Sequence, residues 1–242
     1  MRIAVISDIH GNLVALDAVL ADIDRARPDA LVCLGDVVES GPQPREVLAR
    51  LRAIGSVNLM GNTDERVLSP RPYEPPNEHA RRSAEIEAWC VALLSDEDRA
   101  LMRSFQATAT LALDRTASLL CFHGSPRSNV EVIRATTPEA ELEPMLAGAS
   151  AQVLIGGHTH TQMLRRHRGM LIVNTGSVGL PFELIPGGVR RPAWAEYAMV
   201  EARDGGLRVD LRRVPIDLAA LTRAVRASGM PHADWWLELW NA

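Results

Sequence analysis

Three observations predict an α/β fold: apolar runs alternate with helical segments over the first 65 residues, strand-like runs dominate the second half, and several runs end at polar residues. Residues 2–7 read as a strand, and Leu13, Leu16, Leu20 and Ile23 follow at helical spacing, so that segment buries one face. Residues 30–34 form a second apolar run. Ser40-Gly41-Pro42-Gln43-Pro44 then breaks the chain before a helix carrying Val47, Leu48, Leu51 and Ile54, which Gly55 stops. Residues 56–60 make a third short strand, and three strands joined by helices predict a largely parallel sheet.

Four prolines within residues 69–77 exclude an element interior there. A helical insertion is expected over about 78–104, with Ile86, Trp89, Cys90, Leu93 and Leu94 at helical spacing and Ser95 capping a second helix over 96–104. Strand-like runs follow near 107–113, 117–122, 152–156, 162–166, 170–174, 194–201 and 207–214, then a helix over 217–227. No repeat or linker divides the chain, so residues 1–242 read as a single domain.

Composition narrows the function. Apolar residues are 47% and charged residues 23% of the chain, ordinary globular usage. No apolar run approaches the roughly 18 residues of a membrane span, and Asp8 interrupts any leader-like core at the start, so a cytoplasmic protein is expected. All 26 basic residues are arginine, which excludes a Schiff-base lysine, a Walker-type phosphate loop and a kinase strand lysine. A net charge of −4 argues against a general nucleic-acid binder, while small anionic substrates stay open if metals supply positive charge. Cys33, Cys90 and Cys121 lack disulfide or zinc-site spacing and read as core residues.

The chemistry sits where apolar runs end: Ser7-Asp8-Ile9-His10, Gly35-Asp36, Gly61-Asn62-Thr63-Asp64, His123-Gly124 and Gly156-Gly157-His158-Thr159-His160. In an open α/β sheet, groups past the carboxyl ends of strands gather along one rim. Asp8 with His10, and His158 with His160, are two apart, so extended backbone would point each pair to one side. Oxygen and imidazole donors without thiolate suit divalent manganese, iron, zinc, nickel or magnesium. Seven donors exceed the three protein ligands usual for one catalytic zinc. Two metals about 3.5–4 Å apart fit better, with Asp36 as the bridge and a hydroxide held between them.

These five blocks, in this order, resemble the calcineurin-like metallophosphoesterase superfamily, whose pattern is Asp-x-His, Gly-Asp, Gly-Asn-x-Asp/Glu, a lone His, then Gly-His-x-His. Residues 7–12, 35–44 and 174–181 resemble its compact bacterial and archaeal phosphodiesterase branch. The resemblance implies two packed mixed β-sheets flanked by helices (an αββα sandwich). It also implies that Asp8, His10 and His160 bind a first metal, that Asn62, His123 and His158 bind a second, and that Asp36 bridges them, with manganese favoured. Asp36, Asn62 and His123 are the catalytic candidates, and Asn62 can also touch a bound phosphate. The expected activity is hydrolysis of phosphodiesters or nucleotide-type phosphoanhydrides of small phosphorylated substrates. A phosphomonoesterase and a non-catalytic binding scaffold on the same fold are the alternatives. The family often has a histidine acid where this chain has Thr63, which puts cleavage of alkyl monoesters in doubt. Asp64 reads as a residue that orients a ligand.

Arg81 and Arg82, near His79, read as a solvated helix face or a phosphate clamp; arginine is disfavoured at a helix start, which favours the face. They and Thr63 are the substrate-contact candidates. His167, within Arg165-Arg166-His167-Arg168, reads as an exposed hairpin tip. Three of the five tryptophans fall in the last eight residues, an apolar tail expected to dock on its own domain or, as a homo-oligomer, on a second copy.

Overall fold

In the computed structural model, which describes residues 1–185 and 188–240, the early alternation is realised as β1 (Arg2–Ile6), α1 (Leu13–Ala26), β2 (Ala30–Cys33), α2 (Pro44–Ile54) and β3 (Val57–Asn58). Asn12 caps α1 by accepting from the Ala15 amide, and Gly55 ends α2 in the left-handed region. α3 (Asn62–Leu68), a short helix absent from the sequence reading, precedes α4 (Glu78–Leu93) and α5 (Asp96–Arg103). Ser95 and Asp98 cap α5 reciprocally. The second half contains β4 (Ala109–Ala112), β5 (Ser118–Cys121), α6 (Glu139–Met145), β6 (Val153–Gly156), β7 (Met163–His167) and β8 (Met170–Asn174). It continues through β9 (Glu183–Ile185), β10 (Gly188–Arg190), β11 (Trp194–Arg203), β12 (Gly206–Pro215), α7 (Leu218–Ser228) and α8 (Ala233–Glu238).

Two five-stranded mixed sheets result. The first has the order β12-β11-β1-β2-β3, parallel across β1, β2 and β3 as expected, with β11 antiparallel to β1. The second, β4-β5-β6-β8-β7, is parallel across β5, β6 and β8. Strand alternation divides β1 between two cores. Ile3 and Val5 join Val32, Val153, Ile155 and Val173 between the sheets, while Ala4 and Ile6 join Leu16, Val19 and Leu48 beneath the helices. Leu142 and Leu146 seat α6 on the far side of the second sheet, against Phe122, Leu154 and Ile172. The layers run helix, sheet, sheet, helix. Inner strands covered on both faces explain why they read as continuous apolar runs.

The tryptophan-rich tail docks on its own chain. Trp236 is buried, its Nε1 donates to the Ser40 carbonyl at 2.8 Å, and the Arg191 guanidinium lies 4.8 Å from its ring centroid. His167 corrects an expectation: it is only 5% exposed, with Nδ1 2.6 Å from Glu139 of α6. β7 runs through His167, so alternation turns Met163, Arg165 and His167 to one face. The hairpin tip is Arg168-Gly169, both at positive φ, the tight turn that matches strand twist. Among the described residues no helix is long and apolar enough to cross a membrane.

Candidate metal centre

Asp8 and His10 follow β1, Asp36 follows β2, Asn62 opens α3 beyond β3, His123 follows β5, and His158 and His160 follow β6. The rim is therefore the carboxyl edge of parallel strands drawn from both sheets. Its backbone is not extended. Asp8 (φ 56°), His10 (47°), Asp36 (56°), His158 (67°) and His160 (52°) all occupy the left-handed region, which corrects the argument from extended spacing. A left-handed residue ends strand geometry and turns the chain at each ligand, and such conformations cost on the order of 1–3 kcal/mol each. Asp and His enter this region more readily than most side chains, and β-branched residues least. Glycine makes room at the closest approaches: a Cβ on Gly61 would fall 2.1 Å from Asp36 Oδ1, and one on Gly157 2.0 Å from Ser7 Oγ.

Two clusters of donor atoms form, each with all its atoms within 4.8 Å of one another: Asp8, His10, Asp36 and His160, and Asp36, His123 and His158. Asp36 belongs to both. Its Oδ1 accepts from the Thr63 amide at 2.9 Å, and its Oδ2 faces His123 Nε2 at 3.4 Å and His10 Nε2 at 3.8 Å. Asn62 Oδ1 lies 3.0 Å from His123 Nε2, adding a neutral oxygen to the second cluster. In the first, His160 Nε2 stands 3.2 Å from Asp8 Oδ1 and 3.2 Å from His10 Nε2. Donors bound at about 2.0–2.2 Å to one ion stand roughly 3 Å apart, so this spacing is that of a shared cation.

Backbone carbonyls orient the imidazoles. Nδ1 of His10 donates to Glu39 O at 3.0 Å, that of His123 to Leu34 O at 3.0 Å, and that of His160 to Leu180 O at 2.7 Å. Each ring thus presents Nε2 inward, where lone pairs and carboxylates converge and positive charge is required. Without metal, His123 and His160 are the rings disposed to take up a proton, and His10 and His158 are not. Burial opposes a charge on His123, but Asp36 beside it prevails and raises its pKa to about 9. Burial also opposes a charge on His160, yet Asp8 raises its pKa, whereas burial and the neighbouring His160 lower His10 to about 4. A site of oxygen and nitrogen donors that recruits protons fits two divalent cations.

Residues 1–204 match the calcineurin-like phosphoesterase superfamily domain. The chain belongs to that superfamily. It is similar to a metallophosphoesterase of known structure from Sphaerobacter thermophilus, 28% identical, with a TM-score of 0.73 and 99% of this chain and 98% of that one covered. A hypothetical protein from Pyrococcus horikoshii OT3 shares the fold at a TM-score of 0.78 with 19% identity, covering 98% and 96% of the two chains. An uncharacterised protein of Methanocaldococcus jannaschii is 25% identical over 241 residues, 96% of this chain and 94% of its own.

Other groups in this phosphoesterase support the donors: the sequence reading has Asp64 as a residue that orients a ligand, whereas it does not single out Ser177 and Asn12 for such a role. Asp64, buried and 0% exposed, accepts from the amides of Asp36 at 2.7 Å, Gly61 at 3.1 Å and Val37 at 2.9 Å, so it holds the turn that presents Asp36. Burial and the Asp36 charge push its pKa up to about 7. Ser177 Oγ donates to Asp8 O at 2.8 Å, and Asn12 holds Gly179 O at 3.0 Å next to the Leu180 carbonyl that orients His160. Carbonyl anchors such as Glu39, Leu34 and Leu180 carry no side-chain signal, which is why periodicity and motif spacing pass over them. Thr63 is buried beside Asp36, and its Oγ1 has no hydrogen-bond partner. Arg81 is paired with Glu78 and Glu85, and Arg82 with Glu78, on the exposed face of α4. His79 packs edge-on against Trp235, with ring centroids 4.9 Å apart.

Proposed function

We propose that this phosphoesterase is a two-metal phosphodiesterase, acting on phosphodiesters or nucleotide-type phosphoanhydrides with manganese as the working metal. The observation that carries the reading is Asp36, one carboxylate shared by two donor clusters. Asp8, His10 and His160 would hold one cation, and Asn62, His123 and His158 the other. Cations held there would supply Lewis acidity at the phosphoryl group and would make a water acidic enough for in-line attack. The chain's part is to fix their separation through Asp36, to keep each Nε2 aimed inward, and to leave the Asn62 amide nitrogen free to donate to a phosphate oxygen.

Thr63 sets the substrate preference. Its hydroxyl cannot protonate a leaving alkoxide at neutral pH, a task for which a positioned acid typically contributes about 10²–10⁴-fold. Aryl diesters and anhydrides leave as weaker bases and do not need that proton, which favours them over alkyl monoesters. Three buried free cysteines suit a reducing, cytoplasmic setting. The test is turnover of bis(p-nitrophenyl) phosphate by protein of measured metal content. Activity should vanish on chelation and return with manganese. Protein holding two metals per chain with no turnover of diesters or anhydrides would instead be a binding scaffold, and the proposal would fail.

A further inference from the structure

The flanks of the metal rim differ in character. Beside Asn62, a small pocket of about 220 Å³ is lined by Arg66 and Arg71. Beside His160, a cavity of about 900 Å³ is walled by Ile133, Met163, Phe182, Leu184, Ile185 and Val189. The β9–β10 hairpin supplies the last three, and it leaves Leu184 80%, Val189 45% and Ile185 36% exposed. A short hairpin that turns leucine, isoleucine and valine to water contributes little to the core, and contiguous exposed apolar surface of this kind marks a binding site. Phe182 ties that surface to the chemistry, its ring centroid 6.0 Å from that of the ligand His160. The lining carboxylates are paired, and Arg134 adds a cation to the wall. Glu183 accepts from Arg190 at 2.9 Å and Glu196 from Arg213 at 3.0 Å, so neither lining carboxylate stands unpaired against an incoming phosphate.

We infer that this cavity receives a bulky apolar group, an aryl ring or a long alkyl chain, esterified to the phosphate held at the metal centre, and that Phe182, Leu184 and Val189 determine specificity for it. The inference rests on the proposed phosphoesterase reading for the position of the phosphate. Its volume is that of a site for a whole small-molecule ligand, well beyond a methyl ester. An ester group lying there covers the hairpin's apolar side chains, and each methylene fully buried tightens binding about fourfold.

Phosphonates, whose carbon–phosphorus bond resists hydrolysis, separate binding from turnover. The manganese-loaded full chain is titrated calorimetrically with inorganic phosphate and with methyl-, butyl-, octyl- and phenylphosphonate. Kd should fall at least about tenfold from the methyl to the octyl or the phenyl compound, with the tighter of the two naming chain or ring as the preferred group. In Leu184→Asp and Val189→Asp that gain should shrink severalfold; Leu184 is mostly exposed, so the first variant keeps its fold. Equal Kd across methyl, octyl and phenyl would overturn the inference while leaving the phosphodiesterase reading standing. Full retention of the gain in both variants would overturn it too, because the apolar group would then lie elsewhere. Failure of every phosphorus compound to bind metal-loaded protein would sink both readings together.

Discussion

The metal rim and the β9–β10 hairpin are neighbours built on opposite principles. At the rim Asp8, His10, Asp36 and His123 are buried, the first three with backbones bent into the left-handed region, and the rings of His10 and His123 are held by the carbonyls of Glu39 and Leu34. The hairpin is held by three residue pairs, and its side chains face water. Chemistry that needs two charges at a set separation tolerates little movement, whereas an apolar wall contributes area, which many side chains supply equally. On the proposed function, reaction type would be lodged in the strained, interlocked part of the molecule, and substrate choice in the part that can change without disturbing the fold.

The sharpest way to break this contrast is Asp36→Asn. It removes the charge shared by both clusters, so metal content should drop and diester turnover should fall by more than about 10²-fold, beyond what loss of an orienting partner costs. Full activity with two metals bound would show that the rim tolerates what we assign only to the wall. Asp64→Asn comes next: it keeps the shape but weakens the three amide contacts that hold the Asp36 turn, and about 10–100-fold in metal affinity or activity should go with it. A titration with manganese reads this directly.

Thr63→His probes the seam between rim and substrate. A histidine there should raise monoester turnover relative to diester turnover by about tenfold, part of what a positioned acid can contribute. A variant that keeps its metals but not the change in ratio would place Thr63 away from the leaving group. A pH series asks whether protons stand in for metal. The raised pKa of His123, about 9 against an ordinary 6.5, gives the metal-free protein stability that is full below 6.5 and lost as pH rises through 9. A cation must displace that proton, so the rise in Tm caused by manganese should be larger at pH 9 than at pH 6.5. A constant rise would remove His123 from the ligands.

His167→Ala should have the smallest effect. It removes a buried ring paired with Glu139 far from the rim in function, so Tm should drop by about 2–4 °C while kcat/KM on diesters stays at the wild-type value. The sequence reading had this residue exposed, because Arg165-Arg166-His167-Arg168 resembles a solvated turn; only the register of β7, set by the Arg168-Gly169 tip, turns it inward.

That case shows where sequence is legible. Apolar runs buried on both faces, and donor pairs at their ends, announce themselves by type and spacing, so β1, β2, β6 and the six Asp and His residues that the structure gathers into two clusters could be read from the chain. α6, a seven-residue helix that contains Pro144, and the exposed β9–β10 hairpin carry no such period. The left-handed ligands were illegible for another reason. Backbone torsion at Asp and His leaves no trace in composition, and the assumption of extended strands reached the right convergence through the wrong local geometry.

Those five bent residues carry a consequence for inheritance. At Asp8, His10, Asp36, His158 and His160 the backbone favours glycine or asparagine over the side chains present, so drift governed by stability alone would carry these positions away from Asp and His. A lineage that ceased to need metal would gain robustness by abandoning them, one position at a time. Their joint presence in this chain is a cost in stability that the fold alone does not require.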